Sequence, residues 1–375
     1  MTLALREIRR AKLRFALLAG AVGLLVFLIL FQQTLFGTLV GYFTGALENQ
    51  SGEVVVFNDE ARRNLAGSIL TEEQVAALDE VDGVGEAGPL GQGTFTVEAD
   101  GAPTDAALFG YRLGGPGQPT RLVDGRLPEA DGEAVASSID AGSGFGIGDE
   151  VTLARGDMSI TIVGLAADSR FSVQPVLFVS YETWQDATLA TNPDATAVLP
   201  SAGLVIPEEG TDPEALAGRI SEQVDGVEAL DRATAVESLP GVAAVNQSLN
   251  LILLLAFVVV TLVVGFFFLI ITVQKLPALG LLKAVGYGNS ALVRSLLVQV
   301  GLVSLCGVVI GGAMLVVASA LSTDEFPIEA DPGLVATTGG AVFVLSLLAS
   351  VGSVRRVTRV AATDVIARPS LGGVG

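Results

Sequence analysis

The residue types that carry most protein chemistry are thin in this chain of 375 residues. Histidine is absent, which removes the usual general base and the commonest metal ligand. Cys306 stands alone in an apolar run, so no intrachain disulfide can form. No Gly-x-x-x-x-Gly-Lys-Ser/Thr loop occurs, and ATP phosphates therefore have no P-loop here. No catalytic residue and no metal site is assigned. What remains is noncovalent chemistry at two places. One is a short basic segment, Gln274-Lys275-Leu276-Pro277 followed by Ala278-Leu279-Gly280-Leu281-Leu282-Lys283-Ala284-Val285-Gly286, with two lysines and no acid. The other is a scatter of aromatic and ligating side chains: Phe27, Phe31, Phe36, Tyr42, Phe43 and Phe257, with Glu48 and Met314. Aromatic walls suit a planar or amphipathic molecule drawn from a bilayer.

The elements that position these residues follow from where charge and apolarity fall. The mean hydropathy is +0.61 with half the residues apolar, too greasy for a soluble protein. The formal charge of −19 divides by position. Twelve Lys and Arg lie in Arg6–Arg14, Lys275–Arg294 and Arg355–Arg368, beside only Glu7 and Asp364. The stretch from Thr44 to Val245 carries nine Arg, no Lys and 34 acids. The positive-inside rule puts the basic segments in the cytoplasm and the acidic bulk outside. No basic stripe is offered to nucleic acid.

Four apolar runs are long enough to span, since crossing takes about 20 helical residues. The expected order is a cytoplasmic amphipathic helix at 1–15, a first span and stalk at 16–43, and an extracytoplasmic domain at 44–245. A second span at 246–273 follows, then a cytoplasmic segment at 274–294 and a third span at 295–322. An outer loop at 323–332, a fourth span at 333–354 and a cytoplasmic tail at 355–375 complete it. The fold class is thus membrane α-helical, one span plus three, with a large α+β domain between helices 1 and 2. The first run is longer than a signal-peptide core and lacks an Ala-x-Ala exit, so it reads as an uncleaved anchor. Pro277 suits the first turn of a new helix, which Gly286 and Gly288 would close. Gly307-x-x-x-Gly311 permits close helix packing. Within the large domain, strands are expected at Glu53–Phe57, Thr94–Glu98 and Ala107–Leu113, and helices at Glu72–Leu78 and Pro213–Val224. Thr211 or Asp212 is the expected cap of the second. Arg155-Gly156-Asp157 reads as the turn of a hairpin between Glu150–Ala154 and Met158–Val163.

The run Phe266-Phe267-Phe268-Leu269-Ile270-Ile271-Thr272-Val273-Gln274-Lys275, followed by Gly280-Leu281-Leu282-Lys283-Ala284-Val285-Gly286, resembles the cytoplasmic loop of FtsX-like, MacB-type ABC transporter permeases. Its spelling is most similar to the branch containing the haem-exporter permease HrtB. Asp124-Gly125-Arg126, Gly132–Ser137, Gly146–Val151, Ile162–Ala166 and Pro175–Val179 resemble, in order and spacing, the core domain of the same family. Ala278 and Leu279 stand where many members have an acid. The resemblance implies a homodimer working with two copies of a separate ABC ATPase, which binds ATP-Mg; this chain itself is not an enzyme and holds no cofactor. It implies that Lys275, Pro277, Leu279, Gly280, Leu281, Leu282, Lys283, Ala284 and Gly286 form the ATPase-coupling segment. If haem is the cargo, Tyr, Met, Cys or a carboxylate would have to ligate it, and Tyr42, Glu48 and Met314 are the candidates, with Phe31, Phe36, Phe43 and Phe257 as aromatic walls.

The leading expectation is a permease subunit of an ATP-driven exporter of a hydrophobic compound (drug, lipid or haem) in a bacterial plasma membrane, with both termini cytoplasmic and lipid as a constant partner. A transmitter that moves no cargo but controls an extracytoplasmic partner is the second reading. A membrane-anchored binding domain without an ATPase is the third, and the basic segment argues against it.

Overall fold

In the computed structural model, residues 12–156, 158–192, 194–195, 197–284, 289–322 and 330–351 are described, with side chains except at 275–284 and 289–292. Residues 1–11 of the expected amphipathic helix, 323–329 of the expected outer loop and the whole of the expected tail at 355–375 lie outside these residues. The chain divides into two compact units. Lys12–Phe36 and the described residues from Ser248 onward form a helical unit, and Gly37–Gln247 form a large mixed α and β domain inserted between the first and second long helices.

Among the described residues, four helices are long and apolar enough to cross a membrane. They are α1 (Lys12–Glu48) and, after the inserted domain, three helices whose apolar stretches are Val242–Gln274, Val293–Ala320 and Pro332–Ala349. In the helical unit, Phe15, Leu18, Val22, Val26 and Leu30 of α1 share one buried cluster with Val260, Val264, Phe268, Val300, Val303 and Val342.

The inserted domain runs β1 (Val54–Asn58), α2 (Glu72–Leu78), β2 (Val84–Ala99), β3 (Ala102–Tyr111), β4 (Leu122–Gly125), β5 (Glu133–Ser137), β6 (Glu150–Leu153), β7 (Ser159–Ala166), β8 (Val176–Ser180), α3 (Tyr181–Thr191), β9 (Ala202–Pro207), α4 (Pro213–Gln223), β10 (Val227–Asp231) and α5 (Arg232–Ser238). The long helices α6 (Val242–Ala284), α7 (Asn289–Ala320) and α8 (Pro332–Ala349) follow. Local chemistry sets the ends. Thr71 and Gln74 form a capping box on α2, Asp212 caps α4 ahead of Pro213, and Asp331 caps α8 ahead of Pro332. The β2–β3 hairpin turns on Asp100 and Gly101, both at positive φ (50° and 72°), the geometry a two-residue type I′ loop requires.

Strands β2, β3, β8, β5, β7 and β6 pair in succession, and β6 pairs back onto β2, so six strands close a ring. Phe95, Val97, Leu108, Phe145, Ile160, Ile162, Leu177 and Val179 form a buried core of this part. Beyond β2 the sheet continues through β9 and β1 to β10. Alternation along β1 serves both faces of that arm, as the period of two dictates. Val54 and Val56 pack with Leu78, Leu216 and Ile220 of α2 and α4. Val55 and Phe57 pack instead with Ala46 and Leu47 at the end of α1 and with Ala235 and Val236 of α5.

Candidate functional site

The coupling segment is the first candidate. The expected helix restart at Pro277 is not seen: α6 runs without interruption from Val242 to Ala284. Proline inside a helix forfeits one backbone hydrogen bond, here to the Val273 carbonyl, but leaves the rest of the ladder available. Lys275, Pro277, Leu279, Gly280, Leu281, Leu282, Lys283 and Ala284 therefore lie on the last turns of α6. Gly286 and Gly288 lie outside the described residues.

The candidate cargo residues fall in both units. Phe31, Phe36, Phe257 and Met314 belong to the helical unit and are half-buried. Phe31 stacks obliquely on Phe27, with ring centres 5.5 Å apart. Tyr42, Phe43 and Glu48 belong to the inserted domain. Glu48 borders a polar cavity of about 530 Å³ with Asn49, Glu53, Asp231, Arg232 and Glu237. Among the described residues no three His, Cys, Asp or Glu side chains are grouped to hold a metal ion. In the helical unit a wholly different space, about 590 Å³ and almost purely apolar, lies between α7 and α8 and is bordered by Leu305, Val308, Val335 and Phe343. Neither space gathers the aromatic residues singled out from sequence.

Glycine sets the helix contacts of the helical unit. A Cβ on Gly307 would come within 2.5 Å of Val22, and one on Gly311 within 2.7 Å of Val26 and 2.9 Å of the Gly23 carbonyl. The Gly307-x-x-x-Gly311 spacing thus makes a seam with α1, as small residues do between membrane helices. The Thr338 hydroxyl donates to the Gln33 side-chain carbonyl at 2.8 Å, giving an amide of α1 a protein partner.

The most constrained place in the inserted domain is where α1 ends. The loop between β7 and β8 wraps this helix end. Its Ser172 and Val173 N–H groups donate to the Phe43 and Tyr42 carbonyls at 3.2 and 2.8 Å. The Ala46 N–H donates to the Arg170 carbonyl at 3.0 Å, and the Asn49 side-chain amide donates to the Asp168 carbonyl at 2.7 Å. Gly45 makes the approach possible, since a Cβ there would stand 2.4 Å from the Asp168 carbonyl oxygen. Arg170 lies over the Tyr42 ring at 5.0 Å and is held from behind by both oxygens of the buried Asp140, its Nε at 3.1 Å. The hydrogen bond to Asp140 raises the Arg170 pKa above its usual value. Phe171 of the same loop packs edge-on against Phe109 at 5.0 Å. Tyr42, singled out as a ligand candidate, is thus engaged by an arginine.

The chain leaves the domain through the same core. Ala235 and Val236 of α5, then Leu239 and Val242, pack in the cluster that holds Ala46, Leu47 and Phe57. Arg232 donates to the Gln50 carbonyl at 2.6 Å. Between α5 and α6 the backbone breaks at Pro240, with Gly241 at φ 92°.

Residues 250–362 match the FtsX-like permease C-terminal family. A Staphylococcus haemolyticus protein bearing the name hemin transport system permease protein HrtB is 24% identical over 328 residues, 87% of this chain and 88% of that one. An uncharacterized ABC transporter permease of Mycobacterium bovis is 27% identical over 368 residues, 95% of this chain and 96% of its own length. Residues 250–362 thus form an FtsX-like permease domain, and over most of its length the chain is similar to proteins named as ABC transporter permeases. Among solved structures, the extracellular domain of the noncanonic ABC-type transporter YknZ from Gram-positive bacteria covers 48% of this chain and 99% of its own, at 17% identity and a TM-score of 0.34. A permease of this kind implies an ATPase partner.

Proposed function

We propose that this permease serves an ATP-driven exporter of a hydrophobic or amphipathic compound, haem being the first to test, and that it works by mechanotransmission. The observation that carries this reading is that the two chain segments joining the inserted domain to the long helices, the end of α1 and the α5–Val242 stretch, pack into one core. Displacement of either helix would then reach the whole domain rather than a loop. In this reading the permease is a homodimer in a bacterial plasma membrane, with termini and the end of α6 cytoplasmic and the inserted domain extracytoplasmic. Two copies of a separate ATPase bind ATP-Mg and dock on Lys275–Gly286, and this chain contributes no cofactor and no catalytic group. Haem is favoured among cargoes by the relative named for hemin transport. The cargo-free transmitter is favoured by one observation: the candidate cargo residues are divided between two units.

The deciding experiment is ATP turnover of the permease co-purified with its ATPase in nanodiscs, titrated with hemin, lipids and drugs. Saturable stimulation by one ligand class is expected. Turnover indifferent to every ligand would favour the transmitter, and failure to recover any ATPase would overturn both.

A further inference from the structure

The β7–β8 loop has a backbone that ordinary packing does not explain. Within seven residues Asp168, Ser172 and Val173 all stand at positive φ (48°, 51° and 65°). A β-branched residue there is a steric outlier, and such conformations persist only where the surroundings over-determine them. Here the N–H groups of the strained Ser172 and Val173 find their partners on α1, the Phe43 and Tyr42 carbonyls. Asn49 binds the Asp168 carbonyl, and the Asp168 carboxylate pairs with Arg121. Arg170 joins the buried Asp140 on one side to the Tyr42 ring on the other. The helix contributes the complementary feature: Gly45, where any side chain would strike the loop.

We propose that the loop Ala167–Gln174 is a clasp that fixes the end of α1 to the inserted domain so that the two move as one body, with Arg170 as its positioning residue. This rests on the mechanotransmission reading above but is tested separately from it. A cation over an aromatic face and buried bidentate pairing resist both sliding and rotation of the helix, where apolar contact alone resists mainly separation. Unclasped, α1 would slip against the domain, and ATP turnover would continue without delivering its motion.

The test uses the full permease–ATPase complex in nanodiscs, with the native cysteine removed by Cys306→Ser and spin labels placed at Leu39→Cys on the helix and Glu98→Cys on the domain. Both positions are exposed. With the clasp intact, the distance within one protomer, read in complexes formed with an excess of unlabelled permease, is one narrow population, the same in the ADP and ATP–vanadate states. Gly45→Ala, which pushes the loop from the helix, and Tyr42→Leu, which removes the ring face, should each add a second population that shifts on ATP trapping. With hemin as probe, the ratio of stimulated to basal turnover should fall about fivefold or more in Gly45→Ala, with basal turnover unchanged. A wild-type distance distribution in both Gly45→Ala and Tyr42→Leu would overturn the clasp. If hemin fails to stimulate the wild-type complex, the exporter reading falls while the distances still decide the clasp. Thermal unfolding of each variant separates a released clasp from a damaged domain.

Discussion

The helical unit and the inserted domain both bring glycine against bulky side chains, for different physical reasons. In the helical unit Gly23, Gly307 and Gly311 receive Ile310, Val22 and Val26. Lipid is as apolar as those side chains, so the seam gains only from contact and close backbone approach. In the inserted domain Gly91 and Gly110 receive Trp184: a Cβ on Gly91 would stand 2.1 Å from the indole ring, and one on Gly110 2.3 Å from the Trp184 Cβ. There the gain is removal of a large apolar surface from water. Buried Asp140 has its bidentate arginine. In the helical unit the hydroxyls of Thr34, Thr272, Ser304 and Ser346 are buried without a partner among the described residues. In the inserted domain Gln92 Oε1, Trp184 Nε1 and Arg219 Nε are likewise buried without a partner among the described residues, so the units differ in what drives their packing and not in how fully their polar groups are satisfied.

The sharpest break in that comparison is Gly311→Leu. The added side chain meets Val26 and the backbone carbonyl of Gly23, and backbone cannot yield as a side-chain tip can. Without a hydrophobic force to drive repacking, α1 and α7 should separate, and a monodisperse permease should be lost in size-exclusion chromatography. Gly20→Ala, with nothing within 4 Å of its Cβ, is the matched control and should behave as wild type. Equal behaviour of the two variants would mean the seam does not hold the bundle.

Gly91→Ala is the counterpart in the inserted domain and should be milder. Overpacking a core typically costs about 1–3 kcal/mol, because β2 and α3 can shift where a surrounding hydrophobic force keeps them together. Trp184 is the sole tryptophan of the chain, so its fluorescence reports the site directly. A lowered unfolding temperature with a shifted emission maximum is expected. An unshifted emission would mean that the indole had already moved away from Gly91.

How much of this was legible in the sequence differs between the units for the same reasons. One span followed by three, with a large domain between the first two, could be read from apolar runs and the sign of the charges, because bilayer crossing constrains length and composition strongly. Gly307 and Gly311 could be read as a packing pair from spacing alone. Asp212 as a cap and the hairpin around Arg155-Gly156 were equally local. The Asp100-Gly101 turn is a local signal for the hairpin, whereas β-branched and aromatic content marks only Thr94–Glu98 of a strand that runs across Val84–Ala99. Proline's preference for a first turn points to a restart at Pro277, but an interior proline costs one backbone hydrogen bond without obliging the helix to end, and α6 runs through it. The Gly91 and Gly110 contacts, and the clasp of Arg170 on Tyr42, join positions far apart in the chain, and no local pattern encodes them. Ring closure through β6 was invisible for the same reason.

The smallest expected effect concerns an ion pair on the surface of the inserted domain, and it asks whether charge contributes there at all. The Arg126 guanidinium bonds both oxygens of Glu133, one at 2.7 Å, and the Glu129 N–H donates to the same carboxylate at 2.9 Å. The Arg126 bond foremost, then the Glu129 N–H, pull the Glu133 pKa down to about 2 from an ordinary 4.5. A lowered folded-state pKa stabilises wherever the unfolded carboxylate would already be charged, above about pH 4.5, and that stability is lost as pH falls toward 2. Arg126 is freely solvated, so screening keeps the effect small. Wild type should therefore unfold at a slightly higher temperature than Glu133→Gln near neutrality. The gap should close between about pH 4.5 and 2 and shrink with added salt. Many other acids titrate over that range, but they titrate in both proteins, so the difference isolates this carboxylate. A gap that persists at pH 2 would assign the stabilisation to hydrogen-bond geometry, which the glutamine amide cannot reproduce, rather than to charge. The inserted domain would then resemble the helical unit more closely, with shape and not ionisation fixing even its surface strands.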